Sequence, residues 1–288
     1  YNCDGGVILL YNKTIQMCIF DGNPNGRIMC ELSNWNGPVY KISRNHLSQF
    51  GNRPDAEYTG VYFLFGKNVD NDDTVYIGEA ERMMTRLKQH LKDENYWNEC
   101  IAIISKDNVL NKAHVKFLEH KFYHLAQDAH RAVIVNGSDP TCSSISEYDE
   151  AMLEEFIDNA QLLVNTLGYK VFDAIELVSP TEEKGNVFHL SAARGDAHAQ
   201  GGLVADGFVV FKGSKIASNT VPSMSNSLKK FRQKLIAKGI VDSDFLFTND
   251  YIFTSPSLAA AIVLGRSANG RIEWKTANQK TLNMLEKA

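Results

Sequence analysis

A chain of 288 residues, 44% hydrophobic and 22% charged, has room for about one to three domains and the composition of an ordinary soluble globular protein. No apolar run approaches the length needed to cross a bilayer and no signal peptide is visible, which excludes a membrane-spanning reading and makes a cytoplasmic location the expectation. The net charge of −4 is unevenly spread: residues 201–288 hold 12 Lys+Arg against 6 Asp+Glu, a surplus of six positive charges, and the remainder holds 18 against 28, a deficit of ten.

From the start, Val7 to Leu10, Ile15 to Phe20, Ile28 to Leu32 and Val39 to Ile42 read as short strands. They are separated by Asn/Asp/Gly/Pro stretches with turn chemistry, which gives a β-meander over residues 1–55. The chain begins at Tyr1 rather than Met, so residues are expected to precede it. Cys3, Cys18, Cys30, Cys100 and Cys142 are scattered with no Cys-x-x-Cys pair, which favours reduced thiols over a zinc site.

Gly60-Val61-Tyr62-Phe63-Leu64-Phe65-Gly66 and Val75-Tyr76-Ile77-Gly78-Glu79-Ala80 are short apolar runs rich in β-formers, joined by a polar gap. They predict two antiparallel strands, with a register that can turn Tyr62 and Tyr76 to one face. A helix is expected to follow at once, with Ala80, Met83, Met84, Leu87 and Leu91 as its buried stripe and Arg82, Arg86 and His90 along one edge. Cys100 to Ile104 reads as a central strand buried on both faces, and 111–126 as a helix with Val115, Leu118, Phe122 and Leu125 inward and Glu119 beside them. Ala132 to Val135 is a short extended piece leading to Asn136 and a Gly137-Ser138-Asp139-Pro140 loop. Overlapping capping boxes at Ser144 and Ser146 open a helix with Met152, Phe156, Ala160, Leu163 and Leu167 inward, stopped at Gly168. Val171 to Val178 reads as a strand and 179–200 as a linker.

Residues 201–288 predict a second, small α+β unit. It comprises a strand over Val204 to Lys212 and a helix from Ser225 to Lys238, with Leu228, Phe231, Leu235 and Ile236 inward and Lys229, Lys230, Lys234 and Lys238 outward. A helix capped by Ser255-Pro256 and a last strand over Arg271 to Lys275 complete it.

The order Gly60-Val61-Tyr62, Tyr76-Ile77-Gly78, Arg86 ten residues after the second Tyr, His90 four later, Glu119 on the next long helix and Asn136 beyond it resembles the GIY-YIG nuclease family. The resemblance implies an α+β core over 56–178, a small antiparallel sheet flanked by helices, and metal-dependent phosphodiester hydrolysis. It assigns Tyr62, Tyr76, Arg86, His90, Glu119 and Asn136 to catalysis. Glu119 is also the ligand of a divalent ion, Mg²⁺ or Mn²⁺, completed by waters and phosphate. Tyr62 is expected to act as general base, with Arg86 gripping the phosphate, Tyr76 orienting the water or phosphate, His90 shuttling a proton or contacting the phosphate, and Asn136 holding substrate or a carboxylate.

Residues 1–55 resemble the β-rich extension of one bacterial branch of that family, and the C-terminal stretch resembles a domain of unknown function that accompanies it. Some members carry Lys after the second-element Gly; Glu79 stands there, free to pair with Arg82 or Arg86 or to assist the metal. Gly78 and Arg82, with Lys229, Lys230 and Lys234 of the basic tail, are expected to meet the substrate. An acidic body repels phosphate and a basic appendage recruits it, although the same surplus also suits a solvated surface without a partner. Trp35 in its turn either plugs the sheet or stacks on a base. The expected substrate is DNA. RNA and a non-cleaving nucleic-acid-binding role are the alternatives, the latter opposed by Glu119, which repels phosphate without a metal.

Overall fold

The computed structural model describes residues 12–69, 71–92, 97–173, 187–192, 195–204 and 207–285, and the chain divides into two compact units, Tyr1–Ala174 and Ile175–Ala288. The first contains β1 (Ile15–Ile19), β2 (Arg27–Leu32), β3 (Val39–Ser43), α1 (Leu47–Phe50), β4 (Gly60–Lys67), β5 (Asp73–Ala80) and α2 (Met83–Gln89). It continues with β6 (Trp97–Ile104), α3 (Lys112–Ala129), β7 (Val133–Ile134) and α4 (Glu147–Thr166). Its described strands form a seven-stranded sheet in the order β1-β2-β3-β6-β4-β5-β7, antiparallel except for the β5–β7 pair.

The meander is present over β1 to β3, and Val7 to Leu10 lies outside the described residues. It is not a separate extension ending at residue 55. β3 pairs with β6, Tyr40 opposite Ala102, so one sheet runs from the meander through the β4–β5 hairpin. The reason lies in β6: its backbone groups need a partner on both sides, and β3 supplies the one β4 does not.

Alternation along the strands sorts two cores. Val61, Phe63, Ile101 and Ile103 join residues of α3 and α4 on one face; Tyr62, Leu64, Cys100, Ala102 and Ile104 join residues of α1 and α2 on the other. The two-sided burial expected of Cys100 to Ile104 is therefore observed. Trp35 is a plug, edge-on to Phe156 at 5.0 Å between ring centroids, and a Cβ at Gly37 would come within 2.2 Å of its ring. Cys18, Cys30, Cys100 and Cys142 are free thiols.

Three local expectations fail for identifiable reasons. Leu91 is 41% exposed, because α2 tightens at its end into a 3₁₀ turn over His90–Lys92 that buries His90 instead. In α4, whose N-cap is Ser146, Met152 is 43% exposed and Leu153 takes the core position. Val171 to Asp173 form a turn rather than a strand, seating Val171 and Phe172 in the core once Gly168, at φ +95°, has reversed the chain; the rest of that predicted strand lies outside the described residues.

The second unit contains β8 (Phe188–Ser191), β9 (His198–Val204), β10 (Gly207–Val210), α5 (Asn226–Ala237), β11 (Tyr251–Phe253), α6 (Pro256–Leu264), α7 (Gly270–Glu273), β12 (Lys275–Thr276) and α8 (Leu282–Leu285). Its described strands form a five-stranded sheet in the order β11-β10-β9-β8-β12. The predicted linker over 179–200 thus holds β8 and the start of β9. Further along β9, Gly201 is required where the strand meets β10, since a Cβ would lie 2.3 Å from the Val209 carbonyl. The single strand expected over 204–212 is divided between the end of β9 and β10. Arg271 to Glu273, expected in a strand, belong to the helical turn α7 capped by Asn269. Helices α5 and α6 start as predicted, with Ser225 and Ser255 accepting from the Leu228 and Leu258 N–H groups. Ile236 is exposed; Arg232 is buried instead and donates to the carbonyls of Ile262 (2.6 Å) and Ala217, at the C-terminal end of α6 and in the turn beside it.

Because each unit has its own apolar clusters, residues 1–174 expressed alone are expected to unfold in one cooperative transition, followed by circular dichroism on heating. A non-cooperative, gradual loss of signal counts against independent folding.

Candidate active site

The site is built on the pairing of β4 with β5, which places Tyr62 opposite Gly78 and Leu64 opposite Tyr76. Tyr62 is fully buried and its ring lies over Gly78: a Cβ there would come within 2.4 Å of the phenol's Cζ and Oη and 2.9 Å of the Tyr76 ring. Gly78 is thus a packing necessity for the two phenols, whose rings stack at 6.1 Å.

The Tyr62 hydroxyl is held from two sides. Arg86 Nε donates to it at 3.2 Å, and His90 Nε2 lies 2.7 Å away. With the guanidinium only able to donate, the phenol hydrogen is left for His90, giving the order Arg86 Nε–H to Tyr62 Oη–H to His90 Nε2. Arg86 is further fixed by Gln89 Oε1 at 2.8 Å, and His90 by its backbone carbonyl, which accepts from Trp97 Nε1 at 3.1 Å. The sequence motif does not include Gln89, one helical turn after Arg86 at the end of α2, or Trp97, at the start of β6 beside the 3₁₀ turn.

Burial pushes the Tyr62 phenol well above its ordinary pKa, the neighbouring Tyr76 adds to the rise, and Arg86 offsets only part of it. Burial opposes the charge on Arg86, but the two phenols hold its pKa above the ordinary value. Tyr62 is therefore a neutral, fixed hydroxyl, and the half-buried Tyr76 is the phenol with an open side.

Glu119 reaches the cluster from α3. Burial and then the neighbouring charge of Glu79 push its carboxyl up to about 7, while the Glu79 backbone N–H, Arg86 and Lys116 pull the other way. Glu79 does not pair with the arginines. Arg82, at the N-cap of α2, is exposed and lies 3.5 Å from Glu57; it does not join the Tyr62–Arg86–His90 group. Two carboxylates thus share one neighbourhood beside Arg86, a donor set that suits a hard divalent cation, which would remove their mutual repulsion.

Asn136 makes two bonds to the β5 backbone. Its Oδ1 accepts from the Ile77 N–H at 3.0 Å and its Nδ2 donates to the Ile77 carbonyl at 2.7 Å, so one face of its amide is used on the β5 backbone. In α5 and at its C-cap, Lys230 and Lys238 are exposed, Lys229 and Lys234 half-buried, and Lys229 Nζ donates to the Pro222 carbonyl at 3.0 Å.

Residues 188–286 match the family described as Domain of unknown function (DUF4357). The match begins at β8 rather than at residue 201, in line with the sheet of the second unit. No curated protein and no solved structure matches the chain.

The Glu119 shift has a stability consequence in metal-free protein. In the unfolded chain this carboxyl titrates near 4.5; in the fold it holds its proton to about 7. Below the first value it is neutral in both states and costs nothing. Between the two the unfolded state ionises first and stability falls; above about 7 the folded protein bears the full cost of the charge. Glu119→Gln is expected to be indistinguishable from the parent in Tm at pH 4. By pH 8 it should be more stable by about 1 kcal/mol after allowance for solvent screening, or roughly 2–4 °C. A Tm difference that does not widen with pH means the carboxyl is not held neutral.

Proposed function

We propose that the first unit is a metal-dependent endonuclease that hydrolyses phosphodiester bonds in DNA, acting as the GIY-YIG nucleases it resembles do. The observation that carries the reading is the hydrogen-bonded group Arg86–Tyr62–His90, with Tyr76 stacked against it and the Glu79–Glu119 carboxylates next to Arg86. A guanidinium for the phosphate, a phenol with an open side and a pair of hard oxygen donors are what hydrolysis of a phosphodiester requires at one place.

Within that reading Glu119 and Glu79 hold the divalent ion, Mg²⁺ or Mn²⁺, which when bound supplies Lewis-acid stabilisation of the charge developing on the phosphate. Arg86, its Nε fixed on Tyr62 and one Nη1–H on Gln89, turns its other N–H groups to the phosphate oxygens. Tyr62, expected from the resemblance to be the base, acts instead as the positioning residue that fixes Arg86 and His90, because its proton is held by burial. Tyr76 is the phenol that contacts the attacking water, and His90, in ring contact with it at 4.9 Å between centroids and bonded through Nε2 to Tyr62, holds the phenol pair in place. Asn136 keeps the Ile77 backbone, and with it the Tyr76–Gly78 segment, in place.

The test is incubation of purified protein with plasmid, single-stranded DNA and RNA, with and without Mg²⁺. Cleavage of DNA that needs the metal and is lost in Glu119→Gln is expected; full activity in that variant removes the assignment. Arg86→Lys, which keeps the charge but not the planar fork, is expected to lose on the order of 10²-fold in rate, and Arg82→Lys much less. The opposite order would place the wrong arginine at the phosphate.

The basic C-terminal unit supplies affinity in this reading, since the front of the chain is acidic. Turning Lys229, Lys230 and Lys234 to Glu is expected to weaken DNA binding and to flatten its dependence on salt. The logarithmic slope should fall by about one for each phosphate no longer neutralised, as measured by titrations at several salt concentrations. Equal affinity and equal slope would remove α5 from DNA binding.

A further inference from the structure

Helix α3 carries a second polar group besides Glu119. His120 and His124 lie one turn apart, with ring centroids 4.4 Å from each other, and Asp139 reaches them from the loop after β7. The Asp139 Oδ1 is 3.4 Å from His124 Nε2 and 4.0 Å from His120 Nδ1. One ligand atom from each of the three residues lies within 4.8 Å of the others, and among the described residues no other three His, Cys, Asp or Glu side chains come so close.

The hydrogen bonds around the group favour one tautomer of each neutral imidazole. His124 Nδ1 is 3.2 Å from Gln127 Oε1, and His120 Nδ1 is 2.8 Å from the Pro140 carbonyl. Both partners are oxygens that only accept, so a neutral imidazole that keeps these bonds carries its hydrogen on Nδ1 and offers Nε2 as the ligand atom. His124 then presents a bare nitrogen to a carboxylate, acceptor against acceptor, at a separation beyond an ordinary N–H···O bond. A cation between them would bring both atoms into bonding contact. In a tetrahedral site with bonds of about 2.0–2.1 Å, neighbouring donor atoms are roughly 3.3–3.4 Å apart, the spacing His124 and Asp139 already have. An oxygen acceptor on the far nitrogen of each ring is also how metal-binding histidines are oriented.

We propose that His120, His124 and Asp139 bind one divalent transition-metal ion of the Zn²⁺ class, with water completing the coordination. Two neutral imidazoles and one carboxylate are a borderline nitrogen-rich set; Mg²⁺ prefers oxygens, so this site and the Glu79–Glu119 pair select different ions. The side chains are 26%, 37% and 59% exposed, which leaves an open path from solvent. Its effect is mechanical. Asp139 follows closely on Asn136, whose amide grips Ile77 of β5, so the ion staples the loop that holds the β5 edge onto the helix that presents Glu119. The inference stands on this geometry alone and does not depend on the nuclease reading.

The test uses the full chain, stripped with a chelator and kept in excess Mg²⁺ to satisfy the carboxylate pair. Co²⁺ is titrated in and followed by its visible absorption, then displaced with Zn²⁺. Binding of one equivalent is expected, with the strong bands of a low-coordinate site and a Zn²⁺-dependent rise in Tm. His124→Gln and Asp139→Asn should each weaken Co²⁺ binding tenfold or more and abolish the Tm rise. His120→Gln is a third variant should one of these fail to fold, and Glu119→Gln should leave the Co²⁺ spectrum unchanged. No Co²⁺ retained by the parent protein, equal affinity in the folded ligand variants, or a spectrum lost only with Glu119→Gln would each overturn the proposal.

Discussion

The contact on which the first unit depends is that between the Tyr62 ring and the backbone of Gly78. Pairing across β4 and β5 sets the two residues opposite each other, and only hydrogen at the Gly78 Cα leaves room for the phenol. With the ring lying there, its hydroxyl falls between Arg86 and His90, two residues that α2 and its closing 3₁₀ turn put on the same side. A methyl group at Gly78 would meet a rigid aromatic ring rather than a flexible chain end, so the strain has no inexpensive outlet.

The covering of both faces of the sheet explains how residues so distant in sequence converge. Tyr62 and Arg86 belong to the face covered by α2, whereas Glu119 belongs to α3 on the other. They meet because β7 pairs only with Thr74 and Val75, leaving the outer edge of the later part of β5, opposite β4, without a strand among the described residues, so that groups from both faces approach Glu79 around that edge. Even at that edge, packing leaves the Glu119 carboxylate too little solvated to ionise as an ordinary glutamate does.

Strong periodicity made much of this legible in the sequence. Strands β4, β5 and β6 and helices α3, α5 and α6 announce themselves through alternation, helical spacing and caps, and the fold class, α+β, follows from them. What escaped were features set by long-range contact. The strand β9 is written in Ala, Gln and Gly because its neighbours press close, and composition reads such a stretch as a linker. The joining of β3 to β6 is a matter of partner choice between strands of similar character, which no local pattern encodes. Arg232 looks like one more cation of a basic helix and is instead buried on two carbonyls. At the site, motif spacing brought Tyr62, Tyr76, Arg86, His90 and Glu119 into view. It did not reveal that the hydroxyl of Tyr62 is enclosed, or that Arg82 turns to Glu57, since both depend on which way a side chain leaves the helix or strand.

The amide of Asn136 imitates a strand residue: it returns to Ile77 the donor and acceptor that a neighbouring backbone would have provided. Where β7 gives out, the outer rim of β5 is therefore closed by one side chain instead of more sheet. A foreign extended segment looking for bare N–H and C=O groups at Ile77 finds both already taken, so this rim resists templated growth into a larger sheet or an aggregate. A single amide thus keeps the rim narrow enough to leave Glu79 approachable, yet denies it to strand addition.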